Sequence, residues 1–291
     1  MSRGREPSAR ALDRLARAAL AEDRAGHDRT TRALLDRPRP AEGVVTAQAR
    51  GVLSGAAAAR AVARRAGVRV VRALPDGRRI GPGSVVLVLR GDARRLLSAE
   101  RTILNVLMHA SGVATATARA VARAGPLAVW GTRKTAPGLR DLDKAAIRHG
   151  GGVPHRRDLS DGILVKNNHL AVVPLEVAVA RARRAARQGE PVEVEVRSPG
   201  EAVRAARAGA DALLIDNRSP RAARAIVRAL AAAGLRRGRR VELSGGITPA
   251  TIGRYRRSGA DAASLGSLTH SAPALPFHLT LHPVALRRPA G

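Results

Sequence analysis

A chain that uses arginine for nearly every cation keeps lysine in one place. Of its 52 basic residues only Lys134, Lys144 and Lys166 are lysines, and all three fall within residues 131–170. An ammonium group on a flexible stem does work that a planar guanidinium does not, so these positions are the first candidates for chemistry. Around them stand Arg133, His155, Arg156, Arg157 and His169, interrupted by Gly150-Gly151-Gly152. Such a set suits an anion with more than one negative group. Arg133 and the His155-Arg156-Arg157 run read as a clamp for substrate carboxylates, because guanidinium meets carboxylate through two parallel hydrogen bonds.

Two acids interrupt this cationic set. Glu195 lies at the end of VEVEV, one residue before its last, and Asp216 ends ALLID. Hard cations take oxygen ligands, so the pair reads as the holder of Mg²⁺ on a polyphosphate, directly or through water. The competing reading pairs each acid with a nearby arginine. Glu193 alternates with Glu195 and shares its side of the strand. Ser244-Gly245-Gly246, ahead of a helix expected near Thr248-Pro249, forms a small-residue turn whose backbone N–H groups can approach a phosphate. Gly266-Ser267 extends that cradle. No histidine pair has the spacing of a zinc site.

Regular elements must bring these groups together. Short apolar runs recur at 127–131, 162–166, 192–196, 212–216, 241–245 and 262–266, with helical patterns between them. Strand alternating with helix means parallel strands and crossover helices. The reading is a closed or nearly closed barrel, with a doubly wound open sheet as the alternative. In a barrel, the C-terminal strand ends share one face, so Lys134, Lys166, Glu195 and Asp216 should ring one mouth. The first hundred residues read as mixed α+β, with strands near 44–55, 68–74 and 83–91. A long helix is expected from a Ser98 cap onward, broken or bent at Gly112. Asp28 with Thr30-Thr31 is read as ordering the loop before it, and the extended tail PALPFHLTLHPVAL as returning to the first domain.

Composition narrows the class. The 291 residues suffice for one or two domains, and 45% are hydrophobic, but the chain has one Trp, one Tyr and one Phe. The core must therefore be aliphatic. With no cysteine there is neither a disulfide framework nor a thiolate metal site. No apolar run reaches membrane-spanning length, and the basic N-terminus lacks the apolar core of a signal peptide, so a cytoplasmic location is expected. A net charge of +29 raises the question of nucleic acid. The arginines are spread along the chain and stacking aromatics are nearly absent, so no specific nucleic-acid partner is expected.

The segments ERTILNVLMHASGVAT (100–115), GTRKTAPGLRDLDKAAIRHGGG (131–152), HRRDLSDGILVKNNH (155–169), VEVEV, GADALLIDN (209–217), ELSGGITPATI (242–252) and SLGSLTHSAPAL (264–275) resemble, in order and spacing, the quinolinate phosphoribosyltransferase family. The resemblance implies an α/β protein: an N-terminal α+β sandwich domain over 1–115, rejoined by the tail 273–291, then an incomplete seven-stranded α/β barrel over 116–272. It implies transfer of phosphoribose from phosphoribosyl pyrophosphate to quinolinate, with loss of CO₂, in NAD biosynthesis. It further implies Mg²⁺ and a homodimer, possibly a higher oligomer, with shared active sites. By motif position, Arg101 from the partner, Arg133, His155, Arg156 and Lys166 would surround quinolinate. Lys134, Glu195, Asp216, Ser244, Gly245, Gly246, Gly266 and His270 would hold phosphoribosyl pyrophosphate, with Glu195 and Asp216 serving Mg²⁺. Lys134, Lys166, Glu195 and Asp216 are the expected catalytic groups. The family's usual K-D-N-H reads Lys166-Asn167-Asn168-His169 here, its usual Asp before TRKT is Gly131, and Val153-Pro154 replace a frequently polar pair. A branch associated with molybdenum-transport gene clusters shares most of these motifs and offers another anionic aromatic acceptor. A basic, non-catalytic nucleic-acid-associated protein is the remaining alternative.

Overall fold

The computed structural model describes residues 6–284, so the first residues of the chain and the end of the tail, 285–291, lie outside the described residues. The described chain forms two compact units.

The first unit draws on Ser2–Ala118, Ala136–Gly151 and Ala272–Gly291. Its four-stranded sheet runs in the order Phe277–Pro283, Pro40–Ala47, Val85–Asp92, Arg69–Ala73. All three pairings are antiparallel. The strand Pro40–Ala47 alternates strictly, with Ala41, Gly43, Val45 and Ala47 turned inward, which is the period-2 signature of a sheet with one buried face. The tail strand continues the pattern: Phe277 and Leu279 are buried while His278 and Thr280 are exposed. Helices Ala9–Glu22, capped by the Ser8 side chain, and Ala56–Arg65 belong to the same unit.

Two expectations for the long helix are corrected. It runs over Ala93–Ala124, starting well before Ser98. Asp92 receives the N–H of Arg94 at 3.2 Å and so serves the N-terminus, while Ser98 Oγ donates to Asp28 Oδ2 at 3.1 Å. Asp28 in turn caps the helix Arg29–Leu34 through the N–H of Thr31. Nor does Gly112 break the helix. It is the point of closest approach to the returning tail: a Cβ there would lie 2.3 Å from the carbonyl oxygen of Pro273. A glycine can be kept mid-helix for contact as readily as for bending, and the sequence pattern is the same in both cases.

The second unit comprises Arg119–Thr135 and Gly152–Ser271. Its six parallel strands run in the order Ala128–Trp130, Ala262–Ser264, Arg240–Ser244, Ala212–Asp216, Val192–Val196, Ile163–Val165. The last strand in sequence thus pairs with the first, each strand from Val192–Val196 onward lies beside its predecessor, and among the described residues Ile163–Val165 pairs only with its successor. That is the winding of a barrel; a doubly wound sheet would reverse direction at a central switch point. Beyond these six strands, where the resemblance implied seven, an isolated parallel bridge joins Val153 to Trp130. The crossover helices Pro199–Arg207 and Pro220–Ala232 begin in the same way, with a serine cap and proline at the first helical turn, a combination preset for helix entry.

Candidate active site

Every strand of the second unit delivers a polar residue at its C-terminal end. Arg133 and Lys134 follow Ala128–Trp130, Lys166 follows Ile163–Val165, and Glu195, Asp216 and Ser244 lie at or next to the ends of their own strands. Ser244 and Asp216 are direct register partners. The mouth expected from spacing is therefore present, and it divides into three contiguous groups.

One group contains Lys134, Gly266 and His270. A Cβ on Gly266 would lie 2.9 Å from both His270 Nε2 and Lys134 Cδ. Thr269 Oγ1 donates to the carbonyl of Lys134 at 2.8 Å, tying the two segments together.

A second group centres on the carboxylates. Glu195 accepts the backbone N–H of Asn167 at 3.2 Å, and the Asn167 side-chain amide also donates to it. Arg197 Nη2 lies 3.9 Å from Glu195 Oε1 and 3.6 Å from Asp216 Oδ2. Burial pushes the Glu195 carboxyl above its ordinary range, and contact with Asp216 pushes the same way, against the N–H of Asn167. A carboxyl whose proton affinity is raised by burial and by an acidic neighbour lies in a site short of positive charge. On the neighbouring turn, Gly245 and Gly246 have φ of 87° and 62°, and a Cβ on Gly245 would lie 2.3 Å from Asn217 Oδ1. Only glycine combines that backbone with so close an approach. The helix expected after this turn is corrected: the segment contains only the short 3₁₀ turn Ile252–Tyr255. Phosphate contact here would rest on backbone N–H groups, without a helix dipole behind them.

The third group is the cationic clamp. His155 and Arg156 are partly buried, whereas Arg157 is exposed. Burial, and then the neighbouring charge of Arg133, pull the Arg156 guanidinium below its usual range. Arg133 Nε is buried and has no hydrogen-bond partner. A guanidinium disfavoured by burial and by its neighbour's charge, beside a second guanidinium with an orphaned donor, matches an incoming carboxylate. Next to them lie further groups, of which the sequence reading noted only Glu193. The Trp130 ring stacks on His155 with centroids 4.5 Å apart and planes 27° apart. Arg240 Cζ is 5.0 Å from the Trp130 centroid. Glu193 and Glu242 are almost wholly buried, and burial raises the proton affinity of both.

Two of the remaining positions belong to the first unit, and a third serves the mouth indirectly. Lys144 is buried in the helix Arg140–His149 of the first unit. Arg101 is exposed on the long helix of the first unit. His169 fixes the start of the turn Asn167–Leu170: its Nδ1 accepts the backbone N–H of Lys166 at 2.8 Å.

A parallel barrel carrying a guanidinium clamp, a carboxylate pair and a glycine turn at its strand C-termini is an enzyme scaffold for a polyanionic substrate. Comparison with known proteins makes the class specific. Residues 113–280 match the quinolinate phosphoribosyl transferase C-terminal domain, and residues 28–111 match its N-terminal domain. The chain is 42% identical over 250 residues to a probable nicotinate-nucleotide pyrophosphorylase [carboxylating] of Methanothermobacter thermautotrophicus, covering 84% of this chain and 90% of that one. It is 40% identical over 255 residues to the human nicotinate-nucleotide pyrophosphorylase [carboxylating], covering 86% and 85%. The crystal structure of NadC from Streptococcus pyogenes superposes with a TM-score of 0.88 at 38% identity, covering 97% of this chain and all of that one. The chain belongs to the quinolinate phosphoribosyltransferase family, and it is a pentosyltransferase. Among the described residues no helix is long and apolar enough to cross a membrane.

Proposed function

We propose that the protein joins quinolinate to phosphoribosyl pyrophosphate and releases nicotinate mononucleotide, pyrophosphate and CO₂, the carboxylating pyrophosphorylase step of de novo NAD biosynthesis. The observation that carries this reading is the clamp: Arg133 has a buried, unpartnered Nε beside a guanidinium that already feels its charge. Such a pair favours a dicarboxylate over a monocarboxylate, because an acceptor lacking one carboxylate leaves a buried donor unpaired.

The chemistry follows from the three groups. Lys134, Gly266 and His270, with the Ser244-Gly245-Gly246 turn, bind the phosphates. The bond from the anomeric carbon to pyrophosphate breaks as the pyridine nitrogen of quinolinate attacks that carbon. Lys134 stabilises the departing charge. The nitrogen is then cationic, and it draws in the electron pair released when the 2-carboxylate leaves as CO₂; a proton takes the vacated ring carbon. Arg133, Arg156, His155 and Lys166 hold the acceptor's carboxylates during this sequence. Glu195 and Asp216 have the oxygen donors and the shortage of positive charge that suit Mg²⁺, which when bound would neutralise pyrophosphate. The protein would act as a cytoplasmic homodimer, with Arg101 of the partner subunit completing each acceptor pocket.

The test is a product assay with phosphoribosyl pyrophosphate and Mg²⁺, comparing quinolinate with nicotinate. Nicotinate mononucleotide and CO₂ from quinolinate alone are expected. Binding of phosphoribosyl pyrophosphate without turnover of quinolinate would overturn the acceptor assignment and favour another anionic aromatic. Mixing inactive Arg101→Ala and Lys166→Ala proteins should restore about a quarter of the activity if sites are shared between subunits, by random pairing of protomers.

A further inference from the structure

Two buried acids beneath the clamp take no part in the chemistry above. Glu242 is 1% exposed and Glu193 3%. Glu242 Oε2 and Glu193 Oε1 are buried without a hydrogen-bond partner. Keeping such groups in a barrel core is costly, and a strand position filled by any apolar residue would be cheaper. What Glu242 faces suggests why it is kept. Its Oε2 lies 3.5 Å from His155 Nε2, and the ligand atoms of His155, Glu193 and Glu242 all fall within 4.8 Å of one another. On Trp130 the His155 ring is stacked. The His155 backbone has φ of 53°, a left-handed conformation costly for a residue other than glycine. A strained backbone, an aromatic plate and a carboxylate thus all act on one imidazole, next to Arg156.

We propose that Glu242 is a positioning residue: it fixes the His155 ring on Trp130 so that the imidazole meets the acceptor's carboxylate in one orientation. Glu242 touches no substrate and acts only through His155. Arg240, 3.9 Å from Glu193 Oε1 and lying over Trp130, balances the acidic pair without displacing His155. The part played in acceptor binding presupposes the quinolinate reading given above; the hold on His155 does not.

Trp130 is the only tryptophan in the chain, so indole fluorescence reports on this ring and its neighbours His155 and Arg240. Two readouts are taken on the full-length protein and on Glu242→Ala, Glu242→Gln, His155→Ala and the double variant Glu242→Ala/His155→Ala. In the free proteins, Glu242→Ala should change Trp130 emission in the same direction as His155→Ala, and Glu242→Gln should stay close to the parent. In titrations, Glu242→Ala should weaken quinolinate at least tenfold while moving the KM for phosphoribosyl pyrophosphate less than twofold, and Glu242→Gln should recover most of the loss. The double variant should bind quinolinate no worse than His155→Ala alone, since coupled residues do not add. Additive losses, or equal losses for both substrates, would overturn the positioning role. Unchanged Trp130 emission in Glu242→Ala would overturn the hold on His155. A parent that ignores quinolinate, with emission still coupled between the two variants, would sink the acceptor assignment and leave the hold intact.

Discussion

Asn167→Asp tests how the carboxylate group is balanced. The chain carries asparagine where K-D-N-H is usual, and both the Asn167 backbone and side-chain amides donate to Glu195. Replacing the amide by a carboxylate removes a hydrogen bond to a charged group, worth about 1.5–3 kcal/mol. It also adds a like charge within hydrogen-bonding reach, worth about 1–4 kcal/mol between the limits of water and a protein surface. Glu195 keeps access to solvent, so the lower half of each range applies, and the expected loss of stability is about 2.5–5 kcal/mol. The sign with pH follows from Glu195, whose proton affinity burial and Asp216 already raise. A third carboxylate raises it further. A group with a raised folded pKa contributes stability that is complete below its unfolded value and is lost as pH rises through the folded one. The penalty of Asn167→Asp should therefore be larger at pH 8 than at pH 5. Asn167→Ala, which removes the donor without adding charge, should cost about 1–2 kcal/mol with little dependence on pH. Urea denaturation of the three proteins at both pH values is the assay, repeated with 10 mM MgCl₂ (roughly physiological excess), which should shrink the Asn167→Asp penalty by mass action on the more acidic site. The reasoning is refuted if Asn167→Asp costs no more than Asn167→Ala, or if its penalty is the same at pH 5 and pH 8.

Lys134→Ala should lower kcat by about a hundredfold or more while leaving quinolinate binding to Trp130 fluorescence nearly unchanged, since its charge serves the departing pyrophosphate. Gly245→Ala forces a Cβ to within 2.3 Å of Asn217 Oδ1 at a φ of 87°; calorimetry should show phosphoribosyl pyrophosphate bound at least tenfold more weakly. Gly112→Ala places a Cβ 2.3 Å from the Pro273 carbonyl oxygen and should cost about 1–3 kcal/mol by overpacking, read as a lower melting temperature. Glu242→Gln should become more stable relative to the parent as pH rises from 5 to 8: burial and the Glu193 charge hold the Glu242 carboxyl well above its ordinary range, so the parent loses stability over that interval and the glutamine does not.

What the sequence made legible was whatever lies at strand ends. Parallel strands buried on both faces read as short apolar runs, and the residue that ends each run must emerge at the barrel mouth. That is why Glu195, Asp216 and Ser244 are found together as spacing alone predicted. What it hid lies inside those same runs. Glu242 sits between Val241 and Leu243, and its burial pattern is that of its apolar neighbours; read one strand at a time it is an isolated exception. Its meaning appears only once the strand ending in Trp130 and the loop carrying His155 converge on it, and those segments are far away in sequence. The expected cap at Ser98 and break at Gly112 failed for a related reason. A serine before a helical pattern and a glycine within one are local signals, but here each serves a distant partner, Asp28 and Pro273. The lysine pattern shows both sides at once. Lys134 and Lys166 follow strand ends of the second unit, yet Lys144 is buried in a helix of the first: lysine is kept both at a strand end and at a buried helix position, so two causes for it are present. Residue type alone cannot separate these two causes, whereas position relative to a strand end does.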